Sequence, residues 1–278
     1  MKLLTLNTHN LIEDNYKEKL SHFVSAIEKE RPDIIALQEV NQTICEPEAI
    51  PCRGYTPCAD GIIIRRDNHV HNAVMQLRAR GINYYWSWLP IKKGYDMYDE
   101  GVAIMSLSPI AATKVIAVSN SDDYNSWKTR KLLGIRTEKS PSEWFFSAHF
   151  GWWDDTEESF KTQWQKAEEH LKKLDEIWLL GDFNSPTEVR REGYDLIIDS
   201  HWNDSYAIAE NRDDGVTVKG IIDGWLKSKT KADGMRIDHV FSRHKPHIMK
   251  CVVIFNGENY PIISDHYGVL VEYERSSV

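Results

Sequence analysis

The apolar run Ile177-Trp178-Leu179-Leu180 stops on Gly181-Asp182-Phe183-Asn184, which sets a carboxylate and an amide two residues apart at a strand end. Side chains two apart on a strand point the same way, and a desolvated carboxylate is costly unless it is paired or bound to a cation. Alone, the stretch reads equally well as an Asp-Asn turn closing a strand. The same grammar recurs, however. Leu3-Leu4-Thr5-Leu6 runs into Asn7, Ile34-Ile35-Ala36-Leu37 into Gln38-Glu39, Trp144-Phe145-Phe146 through Ala148 into His149, and Pro261-Ile262-Ile263 into Ser264-Asp265-His266. Ligands bind at strand ends in α/β sheets, so a fold that gathers these ends builds one pocket from Asn7, Glu39, His149, Asp182, Asn184, Asp265 and His266.

Glu39, Asp182 and Asp265, joined by the candidates Glu100 and Asp238, would repel one another in such a cavity and take up protons. A hard divalent cation removes the repulsion, and oxygen ligands with little Cys or His donation favour Mg2+ or Mn2+ over zinc. Phosphate-ester hydrolysis is the natural reaction class for such an ion. An imidazole held in its charged form by a neighbouring carboxylate can donate to the phosphoryl oxygens, a role that suits His149 and His266. Taken singly, either histidine is as well explained by a structural bond to a loop carbonyl. Asp182 remains to orient or deprotonate the attacking water, with Asn184 holding it in line.

The elements that must position these residues follow from periodicity. A strand over 2–7, a helix over 17–30 with Leu20, Phe23, Val24 and Ile27 on one face, and a strand over 33–40 form a β-α-β start, with Asn7 and Glu39 at one sheet edge. A helix over 68–80 follows, then strands over 84–89, 101–107, 110–118, 131–137 and 143–150, an antiparallel succession. The second half carries a helix over 157–174 with Asp155 and Glu158 as a capping box, a strand over 177–182, a short helix over 188–198, and strands over 235–241, 247–255 and 267–273. The expected architecture is α/β, two packed mixed sheets flanked by helices, forming one domain over 1–278 with a cysteine-bearing insertion at about 42–66.

Bulk properties bound the function. The 278 residues, 41% hydrophobic, suffice for one large core. A net charge of −8 argues against a nucleic-acid partner, although local basic patches at Arg65-Arg66 or 128–131 would be compatible with one. No stretch has transmembrane length and the amino terminus lacks a secretory pattern, so a cytoplasmic protein with reduced thiols at Cys45, Cys52, Cys58 and Cys251 is expected. Of ten tryptophans, Trp86, Trp88, Trp127, Trp152, Trp153 and Trp225 fall at strand ends or loops, where flat faces suit a sugar ring, though packing explains any one of them at least as well. Arg130 is a candidate phosphate grip or an ordinary surface ion pair.

The ordered set Leu6-Asn7-Thr8-His9, Leu37-Gln38-Glu39-Val40, Glu100-Gly101-Val102-Ala103-Ile104, Ser147-Ala148-His149, Gly181-Asp182-Phe183-Asn184, Arg236-Ile237-Asp238-His239-Val240-Phe241 and Ser264-Asp265-His266 resembles the endonuclease/exonuclease/phosphatase superfamily of metal-dependent phosphoesterases. The resemblance implies a four-layer, DNase I-like sandwich. It also implies Glu39 and Asp265 as metal ligands with Asn7 nearby, Asp182 and Asn184 acting on the water, His266 supported by Asp238, and His149 supported by Glu100. The stretches Gly151-Trp152-Trp153-Asp154-Asp155, Ile222-Asp223-Gly224-Trp225, Gly234-Met235-Arg236-Ile237-Asp238 and Phe255-Asn256-Gly257-Glu258-Asn259-Tyr260-Pro261 look like its bacterial maltose 6′-phosphate phosphatase branch. That likeness implies a phosphorylated sugar as substrate; Arg130, Trp152, Trp153 and Trp225 are the candidate contacts for it. A nuclease on the same fold and an inactive binding module are the rival readings, and the oligomeric state is open.

Overall fold

The computed structural model describes residues 1–220, 222, 225 and 234–275; Asp223 and Gly224 of the tryptophan-bearing motif lie outside them. In chain order the elements are β1 (Lys2–Asn7), α1 (Tyr16–Glu30), β2 (Ile34–Thr43), α2 (His69–Ala79), β3 (Tyr85–Gly94), β4 (Tyr98–Ser106), β5 (Ile110–Ala117), β6 (Lys131–Thr137), β7 (Ser140–His149), α3 (Phe160–Leu171), β8 (Glu176–Asp182), α4 (Gly193–Asp199), β9 (Asn203–Asp204), α5 (Ser205–Ile208), β10 (Asn211–Arg212), β11 (Asp238–Ser242), β12 (His247–Ile254) and β13 (Gly268–Glu274). They form a seven-stranded sheet in the order β10-β12-β13-β1-β2-β4-β3 and a six-stranded sheet in the order β5-β6-β7-β8-β11-β9.

Strand alternation dictates the layering. In β1, Leu4 and Leu6 share a cluster with Leu20, Phe23, Val24 and Ile27 of α1, whereas Leu3 joins Leu133, Phe145, Leu180 and Val240 of the other sheet. In β8, Trp178 and Leu180 face between the sheets, and Ile177 and Leu179 meet Phe160, Trp164, Ala167 and Leu171 of α3. Each such side chain, fully buried, contributes about 1.5–3 kcal/mol. The result is helix, sheet, sheet, helix: the four-layer sandwich of the DNase I-like fold. Among the described residues no helix is long and apolar enough to cross a membrane.

Two parallel pairings bring chemistry-bearing ends together. β1 and β2 set Asn7 opposite Gln38, and β7 and β8 set His149 opposite Asp182. Antiparallel β11 begins at Asp238, directly opposite Asp182. Gly181 permits this closeness, since a Cβ there would lie 1.8 Å from the Ala148 carbonyl oxygen.

Several boundaries differ from the sequence reading. α3 starts at Phe160, capped by Ser159, whose side chain accepts from Thr162 N. Asp155 instead accepts from the amides of Glu157 and Glu158 in the preceding turn, and the Glu158 carboxylate accepts from Asn120 N and Ser121 N, so no capping box forms. The helix expected over 188–198 begins at Gly193, because Arg191 has a left-handed φ of 67° that a right-handed helix cannot contain. The last half of the expected 235–241 strand survives, while Met235 makes an isolated bridge to Val218.

The four cysteines are free thiols. The segment that carries Cys45, Cys52 and Cys58 covers the exposed edge of β3: Trp86 N donates to Gly54 O, Thr56 N donates to Trp86 O, and the Tyr55 ring lies 4.6 Å from that of Trp86. Covering an edge strand blocks unwanted pairing with another chain.

His69 is buried beside Phe23, with Nδ1 3.1 Å from the Tyr16 hydroxyl. Burial pushes its pKa down to about 3. The folded protein therefore keeps it neutral, while the unfolded chain takes up a proton below about pH 6.5. Stability from this site is full above that pH and is lost as pH falls toward 3. Urea midpoints measured at pH 7, 5.5 and 4.5 are expected to fall less steeply in His69→Gln than in the parent; equal slopes would remove His69 as a cause of acid lability. The comparison cancels groups common to both proteins, such as Asp182, whose raised pKa acts in the opposite direction.

Candidate active site

Glu39 reaches the site through an irregularity. Between Leu37 and Val40 the register of β2 against β4 shifts, and Glu39 takes a left-handed φ of 52°. A bulge re-aims a side chain that regular pleating would send elsewhere. Gly101 faces this bulge, and a Cβ on it would collide with the Leu89 carbonyl oxygen at 1.8 Å. Asn184 is likewise left-handed, at φ 46°, two residues beyond the end of β8. Strain of this kind collects at functional sites.

A cavity of about 270 Å³ opens at these ends, lined by Glu39, Glu100, Arg130, His149, Trp152, Asp182, Asn184, Asp265 and His266. Asn7 Nδ2 donates to Glu39 Oε1 at 2.9 Å and to Asp182 Oδ2 at 3.2 Å. Asp182 Oδ1 accepts from Asn184 N at 2.8 Å, and its Oδ2 lies 3.5 Å from His149 Nε2 and 3.9 Å from His266 Nε2. Asp238 stands behind His266, with Oδ2 2.9 Å from Nδ1. Asn184 Nδ2 donates to Phe150 O at 2.9 Å, and its Oδ1 accepts from Trp225 Nε1 at 2.9 Å. A second cavity of about 250 Å³ adjoins the first, sharing Trp152 and Asn184 and adding Trp153 and Trp225.

Glu100 does not support His149 as the family likeness implied. Its Oε1 lies 2.9 Å from Lys92 Nζ, because the bulge between Pro90 and Lys92 turns that lysine, rather than the histidine, onto the carboxylate. Trp86 and Trp88 are core residues, wholly buried, and play no part in the cavity. Lys92, Tyr95 and Trp127 line it instead, and the Trp127 ring lies 5.4 Å from that of Trp152. Trp127 was visible in sequence as a loop tryptophan; Lys92 and Tyr95 carried no signal, because a lysine pair before a glycine turn is common on surfaces.

Burial raises Asp182 to about 7, with the charges of Asp238 and Glu39 adding to it against the pull of His266. Glu39 also moves up, through burial and then the like charges of Glu100 and Asp265. Burial alone would lower His266, but Asp238 and Asp182 hold it well above the ordinary imidazole range. His149 goes the other way: burial and the positive charges of Arg130, Lys92 and His266 hold it well below, so it is neutral where a charged ring was expected.

The donor set fits a hard divalent cation. Glu39 and Asp265 both line the cavity with carboxylates, and burial and like charge raise Glu39, a cost that a cation would relieve. Asp182, Asp238 and His266 form a second, buried group whose ligand atoms all lie within 4.8 Å of one another. Asn7 turns its N–H, not its carbonyl, toward the carboxylates, which makes it their hydrogen-bond donor in this arrangement.

No curated protein matches the chain. Among solved structures, an endonuclease/exonuclease/phosphatase family protein from Leptotrichia buccalis is similar at 28% identity and a TM-score of 0.87, covering 99% of this chain and 100% of that one. A mannosyl-6-phosphatase from Bacteroides thetaiotaomicron matches at 17% identity and a TM-score of 0.63, over 99% and 100% of the two chains. A 3′ phosphatase from Neisseria, bound to a product DNA hairpin, matches at 17% and a TM-score of 0.62 with the same coverage. The model of the Endonuclease/Exonuclease/phosphatase family matches residues 4–266, nearly the whole length, and the chain belongs to that family.

Proposed function

We propose that the protein is a divalent-metal-dependent phosphomonoesterase acting on a phosphorylated sugar, with water attacking phosphorus in line and no covalent enzyme intermediate. The observation that carries this reading is Arg130. It is buried and lines the cavity that holds the acids; Nη1 donates to the carbonyls of Trp127 and Thr129, and Nε has no partner among the described residues. A guanidinium on the wall of a cavity offers an anion a permanent positive charge, and a phosphate oxygen fits its geometry.

Each residue then has a task. Asp182, raised to about 7, is poised to take a proton from the attacking water at neutral pH. Asn184, fixed by Phe150 O and Trp225, holds the water in line. His266, kept charged by Asp238, donates to the oxygen that gains charge. His149, neutral, is placed as a hydrogen-bonding partner on the other side of Asp182. A Mg2+ or Mn2+ ion held by Glu39 and Asp265, with Asn7 beside them, would supply positive charge against the phosphate oxygens.

For the sugar, support comes from Trp127 and Trp152 on the cavity rim, from the described activity of the mannosyl-6-phosphatase neighbour, and from the sequence likeness to maltose 6′-phosphate phosphatases. The DNA-bound neighbour makes a phosphorylated nucleic acid the competing substrate. Purified protein with Mg2+ is expected to release inorganic phosphate from maltose 6′-phosphate and other sugar phosphates faster than from a 3′-phosphorylated oligonucleotide, and to leave plasmid DNA intact. Plasmid nicking without phosphate release would replace the proposal with the nuclease.

Two substitutions separate the roles. Glu39→Gln is expected to raise the Mg2+ concentration for half-maximal rate about 10- to 100-fold, with excess metal restoring much of the turnover. Asp182→Asn is expected to lower kcat about 100- to 10,000-fold while calorimetric Mg2+ affinity stays within a few-fold. Unchanged metal dependence in the first, or full activity in the second, would remove the corresponding assignment.

A further inference from the structure

We propose that Glu158 is a positioning residue for phosphate binding and that it acts through Arg130. The inference rests on the reading of Arg130 as the phosphate grip and deepens it. Glu158 is buried two residues before α3, yet its carboxylate does not cap that helix. Oε1 and Oε2 both accept from Asn120 N at 2.8 Å, and Oε1 also accepts from Ser121 N at 2.9 Å. Hydrogen bonds to a carboxylate are roughly twice as strong as neutral ones, so these two amides are held firmly. Ser119 passes the constraint on. Its Oγ accepts from Arg130 N at 3.0 Å, Val118 N and Ser119 N donate to Arg130 O at 3.1 and 3.3 Å, and the Ser119 carbonyl accepts from Lys166 Nζ of α3 at 2.8 Å. The segment 119–130 is thus closed end to end by Ser119 and Arg130, and Glu158 with Lys166 fixes the closure against α3.

The guanidinium then leans back on the same segment, with Nη1 on the carbonyls of Trp127 and Thr129, and Lys92 Nζ donates to that Trp127 carbonyl at 3.0 Å. Two cations of the cavity therefore take their place from a segment that Glu158 anchors. The turn that carries Glu158 also holds the other flank. Gln163, wholly buried, donates Nε2 to Glu158 O at 3.0 Å and its Oε1 accepts from Gly151 N at 2.8 Å, two residues beyond His149. A Cβ on Gly151 would meet the Gln163 amide nitrogen at 3.0 Å, tighter than ordinary packing. A buried carboxylate is a costly way to brace residues 120–123, which are exposed, since a neutral hydroxyl or amide oxygen accepts from a main-chain N–H without that desolvation. Holding Arg130 in the cavity gives the cost a use.

A double-mutant cycle tests the coupling. KM and kcat with para-nitrophenyl phosphate in saturating Mg2+, and the inhibition constant of inorganic phosphate, are measured for the parent, Glu158→Ala, Arg130→Ala and the double variant. Glu158→Ala is expected to raise KM and the phosphate inhibition constant about tenfold, with kcat within about threefold and the Mg2+ dependence unchanged. Glu158→Gln, which keeps one acceptor oxygen, is expected to recover part of the loss. In the Arg130→Ala background, Glu158→Ala is expected to change both constants by about twofold or less. An unchanged KM, a loss confined to kcat, or equal factors in the two backgrounds overturns the proposal, because a brace for the loop alone acts without regard to Arg130. If the parent hydrolyses no monoester, the phosphomonoesterase reading fails separately. The cycle is then read from calorimetric affinity for inorganic phosphate, and a parent that binds it no tighter than Arg130→Ala sinks the positioning role as well. Thermal denaturation checks folding, and should Glu158→Ala be unfolded, Lys166→Met, which frees the Ser119 carbonyl, is read by the same cycle.

Discussion

Glu39, Glu100, Asp182, Asp238 and Asp265 converge on or behind one cavity, and gathering that much negative charge away from bulk water is costly unless each carboxylate meets a donor or a counter-charge. The surrounding structure divides the task. Lys92 neutralises Glu100, His266 sits against Asp238, and Asp182 takes hydrogen bonds from Asn184 N and Asn7. Glu39 takes a hydrogen bond from the Asn7 amide and the pull of the His9 charge, against burial and the like charges of Glu100 and Asp265. Burial and like charge together raise Glu39, a cost that a cation there would relieve.

Holding the acids together falls to the backbone. Two parallel strand pairs bring Asn7 beside Gln38 and His149 beside Asp182 from distant parts of the chain. Where regular pleating points a side chain the wrong way, the chain departs from regularity. The bulge in β2 carries Glu39, the bulge in β3 carries Lys92, and left-handed φ values at His9, Glu39 and Asn184 mark the strand ends that meet. Such conformations persist only when the packed core beneath over-determines them. The sheets, covered on both faces by buried Leu, Ile, Phe and Trp, supply that rigidity.

Much of this was legible in the chain because period-2 and period-3.6 patterns report burial directly. β1, β6 and α1 fall where alternation and the Leu20-Phe23-Val24-Ile27 stripe put them. Polar residues at the ends of apolar runs likewise announced Asn7, His149 and Asp182. What stayed hidden depends on long-range register. A bulge at Pro90 leaves no mark that distinguishes it from an ordinary strand, so the pairing of Lys92 with Glu100 could not be read. Tryptophan count misled for a related reason, since Trp86 and Trp88 sit on an edge strand that the cysteine-bearing segment covers, turning apparent strand-end residues into core.

The two histidines carry the last step. Both border Asp182, at 3.5 and 3.9 Å, and residue type alone gives no reason for them to differ. Their other neighbours decide. His266 leans on Asp238 and is held charged, whereas His149 faces Arg130 and Lys92 and is held neutral. Asp182 thus lies between an imidazolium on one side and an uncharged ring on the other. Burial and the charges of Arg130 and Lys92 keep His149 neutral, and both of these cations line the cavity. Charge compensation of the buried acids and the protonation of the histidines are therefore one electrostatic arrangement, and a change at Lys92 or Arg130 reaches both.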